Sequence, residues 1–174
     1  RNLSLVYGAD GHPASPEGGE AAIALYKSLD APNVFSSSPM LINDYDLVGT
    51  AFVPDCLEKP IKEYQYEDYR RHQGVRHPRV AVALTGDNDL LLVVVDGRWP
   101  TASGMTAKEL TFFLARHFNP RWALNMDGGG SSTMYLKGYG APGTDVLNYP
   151  TDNKRYDHYG QRRICTHILI CPAK

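Results

Sequence analysis

The strongest chemical signal in the chain is the run Asp127-Gly128-Gly129-Gly130-Ser131-Ser132-Thr133. Consecutive glycines let a backbone take positive φ and come close to a ligand. Successive N–H groups in such a turn can form a nest for an anion, and Ser131, Ser132 and Thr133 add hydroxyl donors. A carboxylate beside an anion nest repels what the nest attracts unless it acts on the bound molecule. Asp127 is therefore a candidate catalytic group. The same residues also suit a plain tight turn capped by hydroxyls.

A second group is Val95-Asp96-Gly97-Arg98, at the end of a hydrophobic run. An Asp and an Arg at a strand end are placed to enter a cleft, and the planar guanidinium suits bidentate phosphate binding. The competing reading is a strand-end turn with a surface ion pair. Ser103-Gly104-Met105-Thr106 leads into a helix start, a place where anions bind and where simple capping also occurs. Arg79, in Arg76-His77-Pro78-Arg79, adds another cation, and His77 is the one histidine close in sequence to these groups. The histidines have no H-E-x-x-H spacing and the cysteines no metal pattern, so neither a metal nor a cofactor is expected. No Lys follows the glycines, as a nucleotide phosphate loop requires. Ser131 does not stand in a G-x-S-x-G elbow. The segment after the glycines reads as strand, which excludes a dinucleotide fingerprint.

The elements that must position these groups follow from periodicity. Residues 3–7 read as a strand and 20–29 as a helix. Residues 34–42 are apolar but broken by serines and Pro39. Residues 80–84 and Leu90–Val95 read as strands joined by a hairpin-like Thr85–Asp89 connection. Residues 106–118 carry a Thr106/Glu109 capping box and the stripe Leu110, Phe113, Leu114, His117, so they form a helix stopped by Asn119-Pro120. Trp122–Met126 and residues 133–136 read as strands flanking the glycine run. Residues 139–161 form a long polar loop. Residues 164–170 read as a last, largely buried strand. Residues 54–75, with the run Glu63-Tyr64-Gln65-Tyr66-Glu67-Asp68-Tyr69, read as a possible insertion; amphipathic packing is the favoured role for its tyrosines over sugar stacking. Together these elements give an α+β fold: a mixed or mostly antiparallel sheet with packed helices.

Composition sets the outer limits. The 174 residues make about one domain, with 43% hydrophobic and 21% charged residues, which is globular rather than disordered. The net charge of −1 excludes the broad basic surface of a nucleic-acid binder, though not a local basic pocket. The longest apolar run, Leu90–Val95, is strand-sized, far short of the ~18 residues of a membrane span. Cys165 and Cys171 on one strand would stand ~20 Å apart, while Cys56 could reach either; the expectation is three unpaired, buried thiols. The chain begins at Arg1, so it is expected to be processed, trimmed or part of something longer.

Four segments occur in order: Arg76–Leu84, Val94–Arg98, Ser103–Thr106 with Glu109-Leu110, and Leu124–Met134. Together they resemble the phosphodiester glycosidase domain family, over about residues 39–170. The family's Asn-Gly-Gly-Phe-like strand end has no counterpart, so the single domain spanning 1–174 is expected to lack its N-terminal portion. The family's last strand keeps its arginine as Arg162, with Thr166 at its asparagine position. The resemblance implies hydrolysis of a sugar-1-phosphodiester, outside the cytoplasm, on a small-molecule or glycan substrate. It implies phosphate contacts from Arg98, Arg79, Ser103 and the 128–133 donors, with Asp127 first and Asp96 second as the catalytic carboxylate. A catalyst of this kind should bury Asp127 in a cleft facing Arg98. Two other readings stay open: a non-catalytic module that binds a glycan or anionic polymer in a shallow tyrosine-lined groove, and a phosphodiesterase that breaks P–O.

Overall fold

The computed structural model describes Ser28, residues 37–165 and residues 167–172. The expected strand at 3–7, and the helix at 20–29 apart from Ser28, lie outside the described residues. Four strands form one antiparallel sheet in the order β1-β4-β2-β3: β1 Met40–Asn43, β2 Arg79–Leu84, β3 Leu90–Val95 and β4 Trp122–Met126. β2 is central and pairs along its whole length with β3, from Arg79 opposite Val95 to Leu84 opposite Leu90. On its other side it pairs with β4, from Val80 opposite Met126 to Leu84 opposite Trp122. The α+β expectation holds, and the sheet is wholly antiparallel.

The β2–β3 hairpin closes through Thr85 and Asp89, whose backbones bond at 3.0 Å while Thr85 Oγ1 accepts from Asp89 N–H. Asn88 takes the positive φ of 66° that this turn needs. Helix α1 is Tyr69–Gly74 and helix α2 is Ala107–Phe118. α2 starts on the complete Thr106/Glu109 capping box and stops at Asn119, whose left-handed conformation ends the helical ladder. Its Leu110 and Leu114, fully buried, meet Leu41, Ile42, Ala81, Ala83 and Ala123 from the sheet. The small alanines of β2 and β4 let this helix approach the sheet closely. Among the described residues no helix is long and apolar enough to cross a membrane.

Two strand expectations fail. Residues 133–136 make a single bridge, Tyr135 to Val146, and no strand. The 3₁₀ turn Gly129–Ser131 carries the chain off the sheet, where β1 and β2 already occupy both edges of β4. Residues 164–170 form no strand among the described residues, and Ile164, Ile168, Leu169 and Ile170 are exposed. Apolar composition alone cannot make a strand without a sheet edge that pairs with it. The cysteines are unpaired as expected, but all three are exposed rather than buried.

Candidate functional site

His77-Pro78 is the hub that brings the separate motifs together. Three glycines pack against this one dipeptide, and a Cβ on any of them would collide with it. A Cβ on Gly97 would lie 2.5 Å from Pro78 N, one on Gly104 2.2 Å from the His77 carbonyl oxygen, and one on Gly128 2.7 Å from the Pro78 carbonyl oxygen. Gly104 also has φ of +88°, a region that other residues rarely adopt. Backbone bonds complete the junction: His77 and Met105 pair reciprocally, and Gly129 N–H donates to Pro78 O at 2.9 Å. Asp96-Gly97-Arg98, Ser103-Gly104 and Asp127-Gly128-Gly129 thus meet at the start of β2. Short apolar strands end there, and only glycine backbones can crowd that closely.

Arg98 holds a left-handed backbone with φ of 66°, uncommon for a side-chain-bearing residue and costly by about 1 kcal/mol or more. This conformation accompanies a guanidinium laid over the glycine turn. A Cβ on Gly129, itself at φ +62°, would stand 2.8 Å from Arg98 Nη2. The Arg98 side chain has no hydrogen bond or ion pair among the described residues, and the residue is exposed. Its neighbour over the turn is a second cation. Arg162 Nε and Nη2 donate to Asp152 Oδ2 and Oδ1 at 2.5 and 2.9 Å. A Cβ on Gly130 would meet that pair at 2.1–2.3 Å. Arg162 holds the Asp152 carboxyl below its usual range, with Arg98 adding to the effect.

The two candidate carboxylates have different surroundings. Asp96 Oδ1 accepts from Asn148 Nδ2 and from the Tyr149 N–H, both at 3.0 Å. Asn148 Nδ2 also donates to Ser132 O at 2.9 Å, and its Oδ1 accepts from Met134 N–H at 2.8 Å. Asp96 therefore ties the 148–149 loop and the end of the glycine turn to β3. Asp127 is exposed and unpaired among the described residues, with Arg162 close enough to feel its charge. The buried Asp127 expected of a catalyst is not seen: beyond Met126 the chain leaves the sheet, and no element among the described residues covers the carboxylate.

The expected backbone nest is also mostly spent. Gly129 N–H bonds Pro78, Ser131 N–H bonds Gly128, and Ser132 N–H bonds Gly129. What the turn offers an anion is the Arg98 guanidinium and those amides not so bonded, with Arg162 paired to Asp152 beside them. Ser132 is buried with its Oγ unpartnered. Thr133 is half-buried, Ser131 lies within the 3₁₀ turn, and Ser103 is exposed over the hub.

Arg79 stands in the hub but faces inward. The residue is buried, Nε donates to Met105 O at 2.9 Å, and Nη2 donates to His72 O at 2.6 Å and Val75 O at 2.9 Å. Burial lowers its pKa to about 10. No carboxylate pairs with it among the described residues. Its guanidinium pins α1 to the loop before α2, and its direct bonds go to backbone. His77 is partly buried, its Nδ1 is unpartnered, and its pKa is pushed down to about 4, by burial first and then by Arg79 and Arg98.

Asn148 and Asp152 carried no sequence signal, since they fall in the aperiodic 139–161 loop. Arg162 did carry one, as the arginine of the last family motif. Beside them Tyr149 stacks on Tyr156 with centroids 4.2 Å apart, and Trp99 Nε1 donates to Tyr149 O. Among the described residues no group of His, Cys, Asp and Glu is arranged to hold a metal ion.

Solved structures show local likeness. The zebrafish N-acetylglucosamine-1-phosphodiester alpha-N-acetylglucosaminidase catalytic domain, auto-inhibited by pro-peptide, is 26% identical over 67% of this chain and 34% of that one, with a TM-score of 0.48. A protein described as exported, from Burkholderia pseudomallei K96243, is 31% identical over 52% of this chain and 16% of that one, with a TM-score of 0.43. A hypothetical protein from Synechocystis is 22% identical over 70% and 18%, with a TM-score of 0.44. This chain thus spans 16–34% of the length of these structures. No curated protein matches it. The family model for phosphodiester glycosidase matches residues 8–171, and the chain belongs to that family.

Proposed function

We propose that the chain hydrolyses the C1–O bond of a sugar-1-phosphodiester and releases a phosphomonoester. The observation that carries this reading is the unpaired Arg98 guanidinium laid over Gly129, beside the Arg162–Asp152 pair on Gly130. A phosphodiester oxygen seated on the turn meets a planar fork of donors at Arg98 and the field of Arg162. In this reading Ser103, Ser131 and Thr133 contribute hydroxyls at the rim. Ser132, with its buried Oγ, holds the floor, and Arg79 contributes only charge through the hub.

The leaving group explains the economy of the site. A phosphomonoester has a second pKa near ~6, so it departs without a strong general acid once its charge is held. The sugar carbon gains positive charge as C1–O breaks, and a carboxylate must face it. Asp127 is free for that role, either attacking C1 or taking the proton of the attacking water. Asp96 is occupied by two donors and acts as a positioning residue. The C1–O electron pair goes to the phosphate oxygen, and water supplies the hydroxyl left on the sugar. Work outside the cytoplasm is part of the same proposal and rests on the family resemblance.

The exposure of Asp127 favours a second reading, a non-catalytic module that binds the anionic substrate without cleaving it. Incubation of a sugar-1-phosphodiester in ¹⁸O-water separates the readings. Label in the released sugar is the expected result. Label in phosphate assigns P–O cleavage instead, and saturable binding with no product assigns the binding module.

A further inference from the structure

The segment read as an insertion builds a cavity of its own. Lys62, Tyr66, Arg71, His72, Val75 and His77 line a space of about 150 Å³. Lys62 comes from the 3₁₀ turn Ile61–Glu63, the middle of the wall from α1, and His77 from the hub. Among the described residues no carboxylate lines this space. The nearby Asp68 already accepts from the Arg70 backbone N–H and from its guanidinium at 2.8–3.0 Å. Arg71 Nη1 is steadied by the Tyr64 carbonyl at 2.7 Å, with the guanidinium 6.0 Å from the Tyr66 ring centroid. Tyr66 meets His72 edge-on at 4.8 Å. The His77 ring closes the wall, its Nδ1 buried and without a partner among the described residues.

The cavity is held rigidly and adjoins the Arg98 site. Arg79 fixes α1 through the carbonyls of His72 and Val75. Gly97 and Gly104 press on the His77 backbone from the other side. The charge of Arg98 reaches His77, and Tyr66 lies within electrostatic range of Arg162. Two cations without carboxylate partners among the described residues, with two aromatic edges beside them, make a wall for a small anion. Val75 and the ring edges supply the apolar part of the lining.

We infer that this cavity receives a second anionic group of the substrate, a phosphate or carboxylate carried on the alcohol side of the scissile phosphodiester. The inference rests on the Arg98–Gly129 site being the phosphodiester site. It makes the preferred substrate a polyanion, such as a phosphodiester whose second alcohol is itself phosphorylated.

Two measurements on the full chain at ~0.15 M salt test it, a salt level that screens distant charges. The first is the ratio of kcat/KM for a sugar-1-phosphodiester of phosphorylated glycerol to that for the methyl diester. The ratio is expected to exceed tenfold and to fall at least fivefold in Lys62→Gln. Lys108→Gln, at a lysine paired with Asp55 away from both sites, leaves the ratio unchanged. The second is calorimetric binding of propane-1,3-diyl bisphosphate against propyl phosphate, which needs no turnover. The bisphosphate is expected to bind at least tenfold tighter, and Lys62→Gln to remove that advantage. Turnover without either preference, or equal or undetectable binding of the two probes, overturns the inference. A binding preference that persists without turnover leaves this cavity standing and overturns the hydrolase reading instead.

Discussion

Arg98 and Gly129 are fitted to each other: both hold left-handed backbones, and the guanidinium of one fills the space where the other lacks a Cβ. Glycine takes that conformation freely, whereas Arg98 takes it at a cost. The pairing explains why an arginine accepts φ of 66° and why the turn needs glycine at its centre. It also places an unspent, planar cation at the one point where three motifs meet.

Arg98→Lys is therefore expected to impair turnover nearly as much as Arg98→Ala. An ammonium lacks the fork, and the strained backbone would persist without its benefit. The expected loss is on the order of 2 kcal/mol, or roughly 30-fold in kcat/KM. Near-normal turnover in the lysine variant would show that Arg98 supplies only diffuse charge.

Gly129→Ala tests the same fit from the other side. The new methyl meets Arg98 Nη2 and sits at φ +62°. Stability should fall by about 1 kcal/mol from the backbone alone, and phosphate affinity should fall with the displaced guanidinium. A variant whose melting temperature drops while phosphate binding stays intact would separate the turn from the anion site.

Asp127→Asn and Asp96→Asn should behave differently. Asp127 has no partner to lose among the described residues, so its Asn variant should melt normally and lose turnover by orders of magnitude while still binding substrate. Asp96 accepts two hydrogen bonds, so its Asn variant should lose on the order of 1 kcal/mol of stability and loosen the 148–149 loop. Melting curves and kinetics on both variants check this. Retained turnover in Asp127→Asn removes Asp127 from the catalytic role.

Arg79→Gln should destabilise the chain by about 2 kcal/mol, because half-buried carbonyls of His72, Val75 and Met105 lose a buried charged donor. Urea denaturation reads the change. A small effect would mean that Arg79 serves a ligand rather than the fold.

His77 gives the fold a pH dependence with a definite sign. Its pKa near 4 in the folded chain lies below the ~6.5 of an unfolded histidine, so the unfolded state takes up the proton first. The stability it contributes is complete above pH ~6.5 and is lost as pH falls toward 4. With the ring only partly buried, the expected loss between pH 7 and 5 is about 1 kcal/mol. The groups that act on the ring are Arg79, Arg98, His72 and Arg71. His77→Gln should flatten this part of the stability profile measured by urea midpoints.

Local physics was sufficient for the elements that carry their own signal. The α2 capping box, the β2–β3 hairpin and strand β4 are written in nearest-neighbour chemistry and in the 2.0 and 3.6 periods, and all are present where the sequence puts them. The approach of Arg98 to the glycine turn needed the sheet: β3 and β4 flank β2 on opposite sides, and both end beside its start. Pairing partners decided the rest. The apolar 164–170 segment has strand composition, yet no edge among the described residues pairs with it. The turn amides have the look of a nest, yet Pro78 and the turn's own carbonyls take up those of Gly129, Ser131 and Ser132. Arg79 has the residue type of a phosphate ligand, yet its position at the inward start of β2 turns it toward backbone carbonyls. Asp152 and Asn148 lie in a loop with no periodicity, and only tertiary contact brings one to Gly130 and the other to Asp96. Periodicity reports which face of an element is apolar; it carries no information about which distant backbone will satisfy a given donor or acceptor, and that choice shaped this site.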